Sequence, residues 1–168
     1  MRIWIILLIL IFNVVIQSTL LPFIEIGGVM PDTLMMLVIS FSLLSGNPTS
    51  AIIGLCGGLL QDILFGSQLG ICAFQYMVIG YLVGLTRENL YVGPVMFPMV
   101  FAATGIFIKQ IMMYIYAFFV KMNLPIGDVM LKIALPEAIY TAILMPIIYH
   151  YILKLYKHKF MTKRIYFR

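Results

Sequence analysis

The chain is written in long apolar runs, broken at intervals by glycine, proline and small polar residues. Six runs predict six helices. The first spans about Ile3 to Leu21, with Arg2 and Trp4 before and within it as interfacial anchors and Pro22 and Gly27-Gly28 after it. The second runs from about Pro31 to Ser45, with Pro31 near the first helical position and Asp32 in the first turn, where the helix dipole favours an anion. After the Gly46-Asn47-Pro48 turn, the third covers about Thr49 to Phe65, and Gly66 breaks it. The fourth covers about Leu69 to Thr86, the fifth about Pro94 to Val120, and the sixth about Asp128 to Tyr156. Linkers this short force helices 2, 3 and 4 to be antiparallel neighbours. The second and third helices are only ~22 to 26 Å long at about 1.5 Å per residue, so they span a bilayer with little tilt or with local thinning.

Composition turns six apolar helices into a membrane protein. Hydrophobic residues make up 63% of the 168 positions and charged residues 10%. The mean hydropathy is +1.09. A soluble domain carries roughly a quarter charged residues, so this chain cannot cover a water-facing surface. The fold class expected is an all-α transmembrane bundle over residues 1–156, followed by a basic, aromatic tail over residues 157–168. The first helix is too long for a secretory signal, carries Asn13 and Gln17, and has no small-residue cleavage site after it. Cys56 and Cys72 fall at different depths on adjacent helices, which argues against a disulfide.

The net charge of +5 is not a nucleic-acid signal, because six of the eleven Lys and Arg lie between Lys154 and Arg168. It is a topology signal. Arg2, Arg87 and the C-terminal cluster share one side, while Lys121 stands on the other, with Lys132 a turn inside helix 6. By the excess of cations on the cytoplasmic side, both termini are expected inside. The tail residues Lys154, Lys157, Lys159, Lys163 and Arg164, interleaved with Tyr and Phe, suit an anionic inner leaflet, or contact with a cytoplasmic partner.

Counting depth from the helix ends puts Gln17, Asp62 and Lys109 roughly 20 Å below the cytoplasmic face and Gln75 and Glu137 roughly 9 to 13 Å below the outer one. For a ~30 Å core these levels coincide. Five helices thus contribute to one buried polar layer, with Lys109 paired to Asp62, to Glu137 or to both. Pro136 frees carbonyls beside it. The layer reads either as a network that pins helix register or as a pocket or proton path open to the outside. Gly54 and Gly58 on helix 3, widened by Gly57, and Gly80 and Gly84 on helix 4 form small-xxx-small faces. These pack the two helices together or receive a partner's helix. No nucleophile elbow, zinc motif, P-loop or paired-cysteine motif is present, so no catalytic residue, metal or cofactor is expected. His150 and His158 are remote in depth from Asp62, which leaves His150 as an interfacial helix residue.

Several segments carry a family resemblance. Pro31-Asp32 opening an apolar helix, the Ser45-Gly46-Asn47-Pro48 turn, and Gly57-Gly58-Leu59-Leu60-Gln61-Asp62 resemble the MreD family of rod-shape-determining membrane proteins. Phe65-Gly66-Ser67-Gln68-Leu69-Gly70 and Gly80-Tyr81-Leu82-Val83-Gly84 extend the similarity, which is good over residues 10–120. Beyond Lys121 only hydropathy agrees. The resemblance implies a non-enzymatic component of the bacterial elongation machinery in the cytoplasmic membrane. Its partners would be MreC, the wall synthases RodA and a class B penicillin-binding protein, and, indirectly, MreB filaments. It marks Pro31, Asp32, Gln61 and Asp62, with Asp32 fixing the start of helix 2 and Asp62 holding the buried network. It also implies a fold similar to the substrate-binding S-components of energy-coupling-factor transporters. That similarity makes a vitamin-type solute transporter subunit the alternative reading.

Overall fold

The computed structural model describes residues 2–19, 23, 25, 28–66, 68–87, 96–121 and 130–156. Among these, every element is helical: α1 (Arg2–Thr19), α2 (Thr33–Ser45), α3 (Thr49–Phe65), α4 (Ile71–Thr86), α5 (Met96–Phe119) and α6 (Leu135–Tyr156), the last preceded by a π-helical turn, Met130–Ala134. The boundaries of α3 fall where the Asn47-Pro48 turn and Gly66 place them. Helix α2 starts two residues later than its Pro-Asp signature suggests, because Asp32 stands outside the helix as its N-cap and accepts from the Met35 amide. Helix α4 starts at Ile71 rather than Leu69, since Gly70 takes a positive φ of 104°.

Helix α2 is the axis of the molecule. Its residues Thr33 through Leu44 are all buried, and it packs against all five other helices. A helix that is apolar around its whole circumference must be enclosed by protein or lipid, and here protein encloses it. The surrounding helices each bury one stripe. In α1 the stripe is Ile6, Leu10 and Val14, four residues apart on one face, while Leu8, Phe12 and Val15 point outward. In α6 it is Glu137, Ala138, Thr141, Met145, Tyr149 and Ile152, while Ile139, Ile143 and Ile147 are exposed. The outward faces are therefore as apolar as the core, the reverse of a soluble bundle. Two segments, Met96–Phe119 and Lys132–Tyr156, are long and apolar enough to cross a bilayer, and the other helices are apolar but shorter.

The closest helix pair is α3 with α4, and its glycines make the approach possible. A Cβ at Gly54 would fall on the Tyr76 carbonyl, and one at Gly58 would sit 2.5 Å from the Ala73 Cα and 2.6 Å from the Cys72 oxygen. From the other side, a Cβ at Gly80 would lie 2.7 Å from the Ser50 carbonyl, and one at Gly84 would strike the Ser50 hydroxyl and the Asn47 amide oxygen. The contacts run antiparallel, and all four glycines are consumed inside the molecule. Gly57 differs, because it faces the flexible Leu34 Cδ1 at 3.1 Å.

Gly58→Ala is therefore expected to force the backbones apart and to cost about 1–3 kcal/mol or more, as overpacking does. Gly57→Ala, which only needs Leu34 to shift, is expected to cost less. Thermal unfolding of the two purified variants in the same detergent checks the order.

Candidate functional site

The site is built where three helices, α4, α5 and α6, meet the start of α2. Because α2 has only 13 residues, about 20 Å of helix, its N-terminus ends inside the bundle. There Asp32, 4% exposed, is held from several directions. Its Oδ1 accepts from the Met35 amide at 2.8 Å, and its Oδ2 accepts from the Tyr76 hydroxyl of α4 and from Lys109 Nζ of α5, both at 2.6 Å. Its own backbone N–H donates to the Thr141 hydroxyl of α6 at 3.2 Å. Lys109 Nζ also reaches Glu137 Oε1 at 2.6 Å, and Gln110 Nε2 donates to Glu137 Oε2 at 2.8 Å. One ammonium thus bridges two carboxylates, and a backbone amide, a phenol and a side-chain amide each donate one further bond to them.

The local sequence explains why these groups converge. Asp32 is a capping residue whose carboxylate lies at the positive end of the α2 dipole. Glu137 follows Pro136, and the π-helical turn Met130–Ala134 directly precedes this pair. Proline withholds an N–H from the helix ladder, and a π-turn is a common local accommodation at such points. Lys109 and Gln110 are neighbours on α5, so both sides of the Glu137 carboxylate are engaged by one segment.

Asp62 is not part of this cluster, and the pairing of Lys109 with Asp62 is corrected to Lys109 with Asp32 and Glu137. Asp62 is 1% exposed and spent elsewhere. Its two oxygens accept the amides of Gly70 at 2.9 Å and of Cys72 and Ala73 at 3.0 Å. It therefore caps α4 from across the α3–α4 turn, supplying what the helix's own N-cap, a glycine, cannot. The turn is shaped to this end: the Gly66 amide bonds the Asp62 carbonyl, and a Cβ at Gly66 would lie 2.6 Å from that same oxygen.

Of the other expected members of the polar layer, Gln75 is buried and Gln17 half-buried, and neither bonds to the charged groups. The Gln17 and Gln61 side-chain oxygens and the Gln75 amide nitrogen have no hydrogen-bond partner among the described residues. Asn13 accepts weakly from the Thr33 hydroxyl at 3.4 Å. Pro31 is buried next to Asp32. Tyr76, Gln110 and Thr141 are site residues that the sequence did not single out. Tyr76 shows no signal beyond being a polar-tipped residue inside a glycine-lined helix. Lys154 is exposed near the end of α6, while Lys157, Lys159, Lys163 and Arg164, with the tail 157–168, lie outside the described residues, as does Asp128. Cys56 and Cys72 are free thiols.

At the opposite end of α2, Arg87 Nη1 donates to the Ser45 carbonyl at 2.7 Å, tying the end of α4 to the α2–α3 turn. Asn47 Nδ2 adds a bond to the Tyr81 carbonyl at 3.1 Å, and Asn47 Oδ1 accepts from the Ser50 hydroxyl. Among the described residues, no group of three His, Cys, Asp or Glu side chains is placed to hold a metal ion.

In comparison with protein families, the model described as rod shape-determining protein MreD matches residues 1–159. No curated protein and no solved structure matches the chain.

The charged cluster and the Asp62 cap separate experimentally. Lys109→Ala leaves Asp32 and Glu137 facing each other without their cation and is expected to cost about 3–5 kcal/mol. Asp62→Ala removes a cap and is expected to cost about 1–2 kcal/mol. Replacing Lys109, Asp32 and Glu137 together by Met, Asn and Gln is expected to recover much of the Lys109→Ala loss. Detergent-phase thermal denaturation of the set decides the matter, and equal losses for Lys109→Ala and Asp62→Ala would contradict the assignment.

Proposed function

Because the chain belongs to the MreD family of rod shape-determining membrane proteins, we propose that it is a six-span, non-enzymatic scaffold of the bacterial cytoplasmic membrane that binds MreC. Through MreC it meets the wall synthases RodA and a class B penicillin-binding protein, with MreB filaments reached indirectly. In this role it helps regulate peptidoglycan synthesis and cell shape. Both termini lie in the cytoplasm. Arg87 then sits at the inner end of α4, and the Asp32–Lys109–Glu137 cluster lies toward the outer half of the membrane. The tail residues Lys157, Lys159, Lys163 and Arg164 act at the inner leaflet.

The observation that carries this reading is the closure of the charged cluster. Lys109 is shared by Asp32 and Glu137. Tyr76, Gln110 and the Met35 amide donate to the same two carboxylates, and Thr141 accepts the Asp32 backbone N–H. Groups committed in this way fix the relative positions of α2, α4, α5 and α6. That is what a scaffold presenting a constant surface to partners requires. A subunit that captures a small solute from outside needs polar groups left open for it, so this second reading has less support. Its claim rests on the family's likeness to transporter S-components.

Two measurements test the proposal. In a background with Cys56 and Cys72 replaced by Ala, a membrane-impermeant maleimide added to intact spheroplasts is expected to label Gln68→Cys. It is expected to label Lys154→Cys only after permeabilisation. The reverse pattern would overturn the orientation. Crosslinking mass spectrometry on the tagged chain, extracted from its native membrane, is expected to recover MreC and the wall synthases. Recovery of an ATP-driven energy-coupling module with a bound solute would instead establish the transporter reading.

A further inference from the structure

Between the start of α4 and the second half of α5 lies an open cleft of about 530 Å³, walled chiefly by Leu69, Phe74, Met112, Ile115 and Tyr116. Its volume and apolar lining fall in the range of small-molecule sites. Besides Tyr116, one polar side chain lines it: Gln75, 4% exposed, whose amide nitrogen lacks a partner among the described residues. A buried donor left unmade is costly, and such a group calls for an acceptor that the protein itself does not supply. At the rim, the Tyr116 hydroxyl donates to Gln68. The cleft opens among Leu69, Phe74 and Ile115, each at least half exposed on the apolar outer surface. Its occupant therefore comes from the membrane rather than from water.

We propose that this cleft holds one phospholipid, with an acyl chain along Phe74, Met112 and Ile115 and an ester carbonyl accepting the Gln75 amide hydrogen. The terminal torsion of glutamine is broad and two-fold, so a rotation there turns the N–H toward the cleft. The lengths of the helices bring a lipid ester to this depth. Helices α2, α3 and α4, with 13, 17 and 16 residues, measure about 20, 26 and 24 Å, all shorter than a ~30 Å hydrocarbon core. A bilayer meeting short spans thins locally, which draws its glycerol-ester layer toward the start of α4, where Gln75 stands just past the first turn. The proposal rests on reading α4 and α5 as membrane spans.

The test uses the single tryptophan of the chain. In a Trp4→Phe background, Ile115→Trp reports the cleft and Ile143→Trp reports an exposed face of α6. Both are reconstituted in vesicles of brominated phosphatidylglycerol, where both are expected to be quenched by the lipid bromines. On extraction into detergent, Ile143→Trp is expected to recover its fluorescence while Ile115→Trp stays quenched. Adding Gln75→Leu is expected to release the quenching at Ile115→Trp. Gln75→Asn, which withdraws the amide by one methylene, gives the same release in a less disruptive variant. Recovery of Ile115→Trp together with Ile143→Trp would overturn the lipid site while leaving the spanning arrangement intact, as would quenching that survives both Gln75 variants. Absence of quenching at Ile143→Trp in the vesicles would overturn the spanning arrangement and the lipid site with it.

Discussion

The bundle depends on the sharing of one ammonium by two carboxylates. Lys109 comes from α5, Asp32 from the cap of α2 and Glu137 from α6. Separating two charges from water is expensive, and mutual attraction offsets that cost only when geometry is good and leftover hydrogen-bonding capacity is filled. Here the ion pairs are short, and Tyr76, Gln110 and the Met35 amide add donors to the two carboxylates. In lipid, helices gain little from burying apolar surface against one another, because the surrounding tails are equally apolar. Polar bonds and close packing must then supply specificity. The charged cluster supplies it on the α5–α6 side of α2, and the glycine faces supply it between α3 and α4.

Two aspartates in similar sequence settings do different work. Asp32 and Asp62 each lie at a helix end, and each accepts backbone amides. Asp62 meets only amides, those of the next helix along the chain, and so fixes a local turn. Asp32 meets one amide of its own helix and then three other helices. The difference follows from α2 being short and central. Its end is inside the bundle, within reach of everything, whereas the end of α3 is at the bundle's margin.

Much of this was legible in the residues. Alternation of apolar runs with Gly, Pro and Asn turns marks all six helices, and α3 is bounded as its flanking turn residues require. The glycine spacing marks a close helix approach and leaves open whether helix 3 meets helix 4 or a partner's helix. The buried polar groups Lys109 and Glu137 are also visible as ionisable residues inside apolar runs. What could not be read was the partner of each. Depth counting treats every helix as crossing the same slab from its boundary, and that assumption fails for α2. Asp32, at the start of its helix, falls outside the layer that depth counting gives, and Asp62 falls within it beside Lys109. The cap that Asp62 makes spans the eight to eleven residues to Gly70, Cys72 and Ala73. Its traces in sequence are Gly66 and Gly70, whose shapes the turn needs. Tyr76 left no trace, because a phenol aimed at a carboxylate looks the same in sequence as one aimed at lipid.

The enclosure of α2 also bears on how the chain is made. A ribosome delivers α2 with Asp32 long before it delivers Lys109 and Glu137. Helix α2 is apolar around its circumference and suits lipid meanwhile, but its acid does not. Until α5 and α6 emerge, the Asp32 carboxylate has only the Tyr76 hydroxyl and its own helix end for company. Biogenesis of this protein is thus a matter of delayed assembly, with its first aspartate among the last groups to find all its partners.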